Sequence, residues 1–88
     1  MSIFDFFHQA TANYAVALSE PFQHPYGWAY VFARDDYTEL RVFQNEQEAS
    51  NHYSTTKSAL SLGSFISIQH IPDEQAQNMK FDNIRHLT

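Results

Sequence analysis

The run HPYGWAYVF, residues 24–32, sets a ring at every second position: Tyr26, Trp28, Tyr30 and Phe32. A period of two marks a strand with two unlike faces, here one of rings and one of Ala29, Val31 and Ala33. The run TELRVFQ, residues 38–44, alternates as well, with Leu40 and Val42 on one side and Glu39 and Arg41 on the other. Two such runs joined through Asp35-Asp36 read as a hairpin. The loop decides which face of the first strand meets Leu40 and Val42, because a slip of one residue exchanges the faces.

Two registers are open. If Asp35 and Asp36 alone form the loop, Arg34 faces Tyr37 and Val31 faces Leu40. Trp28, Tyr30 and Phe32 then share a face with Phe43, Arg41 and Glu39, away from Leu40 and Val42. A loop of three residues instead sets Phe32 opposite Leu40 and Tyr30 opposite Val42, with the rings inside. Tight two-residue turns want positive φ, which Asp-Asp supplies poorly, and the longer loop also wants a glycine. Burial favours the second register. A fully buried large side chain contributes about 1.5–3 kcal/mol, so three wet rings would cost a small domain much of its margin. The expectation is an aromatic core row. The alternative is a ring-bearing face that needs a cover, either the first helix or another chain.

Around the hairpin, residues 2–19 read as a helix. Ser2 and Asp5 form a capping box, and Ile3, Phe7, Ala10, Tyr14, Ala17 and Leu18 fall on one stripe. Phe6 lies on its flank, as a rim core residue or half of a dimer seam. Glu20-Pro21 ends the helix, and Pro21, Pro25 and Gly27 punctuate a loop. NEQEASNHYSTTKSALSLG is a second helix with Asn45 as its cap, Glu48 as capping-box partner and Gly63 as a left-handed stop. Its apolar stripe is thin: Ala49, Tyr53, Thr56 and Leu60. SFISIQHI, residues 64–71, is a third strand, and Pro72-Asp73 opens a last helical segment carrying Ala76, Met79, Ile84 and Leu87. The order α-β-β-α-β-α implies one α+β domain across residues 1–88, a two-layer fold in which helices pack on a small mixed three-stranded sheet. Many unrelated small modules share that layout, which licenses no function by itself.

Composition narrows the function. The chain has 88 residues, no cysteine, and 5 Lys and Arg against 10 Asp and Glu, a net charge of −5. Disulfides and thiolate metal sites are excluded. No window gathers a basic stripe, which argues against direct nucleic-acid binding. That also weighs against a base-stacking platform on Trp28, Tyr30 and Phe32. No apolar run reaches the ~18 residues that cross a bilayer, and Asp5 and His8 break the apolar start, so neither a membrane segment nor a signal peptide is expected. The expected location is cytoplasmic.

His8, His24, His52, His70 and His86 show no metal-ligand spacing. No serine sits in a glycine-flanked elbow, and two glycines cannot build a phosphate loop. No cofactor, metal or catalytic set is expected. The best functional candidate is an acidic edge, Asp35, Asp36, Tyr37, Glu39, Arg41, Phe43, Glu46 and Glu48, with Tyr37 and Phe43 as apolar anchors. It suits a non-catalytic protein-binding module: a small acidic inhibitor or adaptor docking on a macromolecular partner with a basic surface, such as a nucleic-acid-binding groove. Accessory proteins of phages and mobile elements often have this character. A structural homodimer or complex subunit is the alternative, and a small histidine-dependent enzyme using His24, His52 or His70 is the second.

Overall fold

The computed structural model describes residues 14–63 and 66–88. They form strands β1 (Tyr14–Ser19), β2 (Phe22–His24), β3 (Gly27–Arg34) and β4 (Tyr37–Phe43), helix α1 (Glu46–Ser61), strand β5 (Ile66–Ile71), helix α2 (Asp73–Asn78) and strand β6 (Asn83–His86). The fold is α+β and two-layered: a six-stranded mixed sheet, in the order β5-β1-β3-β4-β6 with β2 also on β3, and one long helix laid across it. β1–β5 and β4–β6 are parallel pairs, while the β3 pairings are antiparallel. No helix among the described residues is long and apolar enough to cross a membrane.

The three-stranded expectation is corrected at both ends of the chain. Tyr14–Ser19, placed above in the first helix, is a central strand. All its residues after Tyr14 are buried, because the sheet is covered on both faces there. Such a strand shows no alternation, and an alanine-rich apolar run fits helical spacing equally well. The rest of that helix, including the Ser2–Asp5 box and Phe6, lies outside the described residues. At the other end α2 stops at Asn78, and Ile84 belongs to β6, an exposed edge strand whose pairing with distant β4 leaves no local pattern.

The hairpin takes the two-residue loop. Arg34 faces Tyr37 and Val31 faces Leu40. Asp35 carries the positive φ, 47°, which its short polar side chain tolerates. The aromatic row therefore lies on the face away from Leu40 and Val42, against the expected register, while Tyr30 is fully buried in a core as expected. The energetic premise of that register fails because the ring face is not wet. Helix α1 crosses it, and Tyr30 and Phe43 are 0% and 2% exposed beside Val16, Leu18 and Ala49. The other face is aliphatic, Ala17, Ala29, Val31, Ala33, Leu40 and Val42, packed with Phe22, Ile71, Ala76 of α2, Met79 and Phe81.

β1 and β2 run along the same side of β3. Leu18 faces Phe32 and Phe22 faces Ala29, so Ser19, Glu20 and Pro21 oppose only Val31 and Tyr30. That single extra residue is a β-bulge. Ser19 repairs the interrupted ladder, its Oγ accepting from the Val31 N–H at 2.8 Å in a buried position. Ser19→Ala leaves that amide without an acceptor, and a loss of about 1–2 kcal/mol in urea unfolding is expected. Gly27 opens β3 at φ 136°, where an added Cβ would lie 2.5 Å from the Phe43 carbonyl oxygen. Helix α1 starts as expected, with Asn45 Oδ1 accepting from Glu48 N at 3.0 Å. It ends differently. Leu62 closes it at φ −80° and Gly63 N–H reaches Leu60 O at 3.1 Å, a tightened turn in place of a left-handed glycine stop.

Candidate functional site

The register that sends the rings under α1 also sends every second side chain of β4 there. Arg41 stands opposite Tyr30 and beside Arg85, and Glu39 stands opposite Phe32 and beside Asn83. A polar chain results within an apolar layer. Glu39 Oε1 accepts from Arg41 Nε at 2.6 Å and from Arg85 NH1 at 3.3 Å, and Glu39 Oε2 accepts from the Tyr37 hydroxyl at 2.6 Å. Arg41 NH1 donates to the Tyr30 hydroxyl at 3.0 Å, and its guanidinium lies 4.3 Å from the Phe32 ring centroid. The same hydroxyl is 2.6 Å from His52 Nδ1 and 3.0 Å from Thr56 Oγ1 on α1.

Burial opposes ionisation of Glu39. The hydrogen bonds from Arg41 and Tyr37 and the charges of Arg41 and Arg85 outweigh it and hold its pKa below the usual carboxylate value. His52 is also pushed down, by burial first and then by the charges of Arg41 and Arg85, with Glu39 opposing. Its shortest contact pairs the strongest nearby O–H acid with the strongest neutral base, so we assign the phenol proton to the Tyr30–His52 bond. The imidazole proton then sits on Nε2. In that tautomer Nδ1 accepts and Nε2 carries the donor N–H.

Both shifts have the same sign for stability. A histidine whose folded pKa is depressed contributes fully above its unfolded value of about 6.5 and loses that contribution as pH falls below it. Glu39 follows below about 4.5, the loss continuing through its lower folded pKa. His24, lowered by burial, adds to the first stage. The urea midpoint should therefore fall between about pH 7 and 5 and again below pH 4.5. His52→Gln should flatten part of the first decline and leave the second.

The residues expected to form an acidic edge do not share a surface. Asp35 and Asp36 are exposed at the hairpin tip. Glu39 and Phe43 are buried at 4% and 2% exposure, and Arg41 is engaged with Glu39. Tyr37 is half-buried on Glu39. Glu46 and Glu48 open α1 at the far end of β4, about 20 Å of strand away from the tip. Phe43 offers no anchor because it is already packed against Tyr30 and His52.

At that far end the structure builds an open groove of about 380 Å³ between the bulge and α1. Trp28 and Tyr53 supply its rings, Glu20 and Glu46 its carboxylates, and Ser50 and Ser54 its hydroxyls, with no lysine or arginine in the lining. Reading along the sequence missed Glu20, Trp28 and Tyr53 as a set. The usable signal was the register: once Trp28 faces Phe43, it must lie on the face that α1 crosses, beneath the Glu46–Tyr53 flank. His24 and His86 both meet the Tyr26 ring at a tilt, with centroids 5.1 and 5.6 Å away, His70 is exposed, and no group of three or more metal-binding side chains occurs among the described residues.

Compared with known proteins, the chain matches no family model, no curated protein and no solved structure.

Proposed function

We propose that this protein is a non-catalytic binding module that docks on a basic segment of another protein. The observation that carries the reading is the groove in which Glu20 and Glu46 flank the Trp28 and Tyr53 rings, with no lysine or arginine in the lining itself. Lys57 Nζ stands 5.8 Å from the Tyr53 ring centroid, so that Trp28 offers the ring face for an incoming cation. A guanidinium fits this combination twice over, stacking on an aromatic face while a carboxylate takes its N–H fork. The acidic walls weigh against phosphate as the bound group. A partner whose nucleic-acid-binding surface presents arginines suits this groove, and docking there competes with the nucleic acid. This retains an acidic adaptor or inhibitor and moves its contact surface from the hairpin edge to the groove.

Calorimetric titration of an arginine-rich peptide at low salt tests the proposal. Saturable binding is expected, falling with added salt and weakened about tenfold or more when Glu20→Gln and Glu46→Gln are combined, since each lost charge-assisted contact contributes roughly 1 kcal/mol or more. Both side chains are exposed, so the double variant should keep the wild-type unfolding midpoint. Equal affinity in wild type and double variant, or no binding at all, removes the groove as the docking site.

A further inference from the structure

Tyr53 is a wall shared by two cavities. On one side is the groove of Glu20 and Glu46, and on the other is a small pocket of about 140 Å³ that Leu18, Lys57, Ile68 and His70 also line. The register builds the sheet wall of the second. Ile68 aligns with Val16 and His70 with Leu18, so these side chains stand on the sheet face that α1 crosses.

The two cavities follow one line. Ser50, Tyr53, Ser54 and Lys57 recur at i, i+3, i+4 and i+7, so they share one flank of α1, and Glu46 stands one turn before them. On the sheet side Leu18 lines the pocket, while Glu20 and Pro21, just beyond it in the bulge, line the groove. Helix and strand thus bound a single trough with the Tyr53 ring across its middle.

Charge reverses along this trough. The first half holds two carboxylates and no lysine or arginine. The second holds the Lys57 ammonium and the His70 imidazole, with no aspartate or glutamate among the described residues of its lining. Glu20, Glu46, Lys57 and His70 are all exposed, so each is open to a ligand. Lys57 Nζ lies 5.8 Å from the Tyr53 centroid, and it joins no ion pair among the described residues. Midway along the acidic half, Ser50 precedes Lys57 by two helical turns, an axial rise of about 10 Å. A polyproline II segment returns to the same side every three residues, a rise of about 9 Å. A peptide lying in the trough therefore sets residues i and i+3 over its two halves.

We propose that the segment bound here is bipolar: an arginine enters between Glu20 and Glu46, and an aspartate or glutamate three residues away meets Lys57 and His70. This rests on the docking groove described above and narrows its partner from any basic surface to a chain carrying both charges. The small volume of the second cavity suits a carboxylate. A second arginine there meets Lys57 with like charge, so the trough rejects a purely basic chain by repulsion at one end.

Blocked peptides with the cores Arg-Pro-Pro-Asp and Asp-Pro-Pro-Arg, their Asn counterparts, and Arg-Pro-Pro-Arg are titrated at low salt and followed by ¹H–¹⁵N correlation spectra. The better of the two acidic peptides should give saturable shifts at Ser50, Ser54 and Lys57 and bind about fivefold or more tightly than its Asn counterpart. The protein carries a net charge of −5, so non-specific attraction ranks the peptides the opposite way. Lys57→Met keeps an aliphatic stem beside Tyr53 and should bring the acidic peptide to within about twofold of its Asn counterpart, whose own affinity stays the same. Equal binding of the Asp and Asn peptides, tightest binding by Arg-Pro-Pro-Arg, or an Asp preference that survives Lys57→Met overturns the bipolar segment. In the first two cases an intact loss with Glu20→Gln and Glu46→Gln leaves the cation groove standing. If none of these peptides binds although an arginine-rich one does, the bipolar segment falls alone, and if that one fails too, the groove reading falls with it.

Discussion

Replacing Glu39 with alanine lowers the free energy of unfolding by about 3 kcal/mol, the scale for removing one partner of a buried ion pair. The Glu39 side chain is 5% exposed and accepts from Arg41, Arg85 and Tyr37 at once. Without it the Arg41 guanidinium, whose side chain is 14% exposed, remains between Phe32, Tyr30 and α1 with no counter-charge. The Tyr37 hydroxyl loses its acceptor as well. Combining Glu39→Leu with Arg41→Met should recover most of the loss, because the attraction within such a pair largely offsets its own desolvation. Urea unfolding at pH 7 measures both variants. A single-variant loss below about 1 kcal/mol would mean that the pair is hydrated like a surface bridge.

Tyr30→Phe removes one oxygen and destabilises by about 1–2 kcal/mol, because its half-buried partners lose a hydrogen bond that water replaces only in part. Packing is preserved. The ring still stacks on Phe43 at a centroid separation of 5.9 Å and meets Tyr53 edge-on at 5.6 Å. What disappears is the junction between sheet and helix: Arg41 NH1, His52 Nδ1 and Thr56 Oγ1 all meet at that hydroxyl. The substitution also releases the tautomer of His52. Ring ¹⁵N shifts should show Nδ1 as the unprotonated nitrogen in the wild type and a mixture in the variant. A loss under about 0.5 kcal/mol with unchanged ring shifts would remove Tyr30 as the organiser of this network.

How much of this was legible beforehand depends on where each residue finds its partners. The hairpin strands and α1 were visible, because alternation over 28–34 and 38–44 and the Asn45 cap are local signals. The thin stripe Ala49, Tyr53, Thr56 and Leu60 is the face that α1 turns to the sheet or its polar network. β1 was hidden because a strand covered on both faces has no alternation to read. β6 was hidden because its four exposed residues are held by β4 alone in the described ladder. The acidic edge failed for a related reason. Glu39 looked like surface from its charge, yet Arg41 two residues on and Arg85 from a distant strand make its burial tolerable. Of the docking groove, each residue could be seen singly. Their convergence requires the two-residue loop, which Asp35 supports by accepting a positive φ of 47° that Asp-Asp offers less readily than a glycine-bearing turn.

The two parallel pairs of the sheet bear on how it assembles. Tyr14 aligns with Ile66 and Glu39 with Asn83, whereas Arg34 and Tyr37 are separated by two residues alone. Closing the short loop costs little chain entropy, and closing the long ones costs more before any contact rewards it. The meander around the Asp35-Asp36 corner is therefore the natural nucleus, with β5 and β6 zipping onto its flanks late. Destabilising substitutions in those outer strands should then speed unfolding and leave the refolding rate nearly untouched.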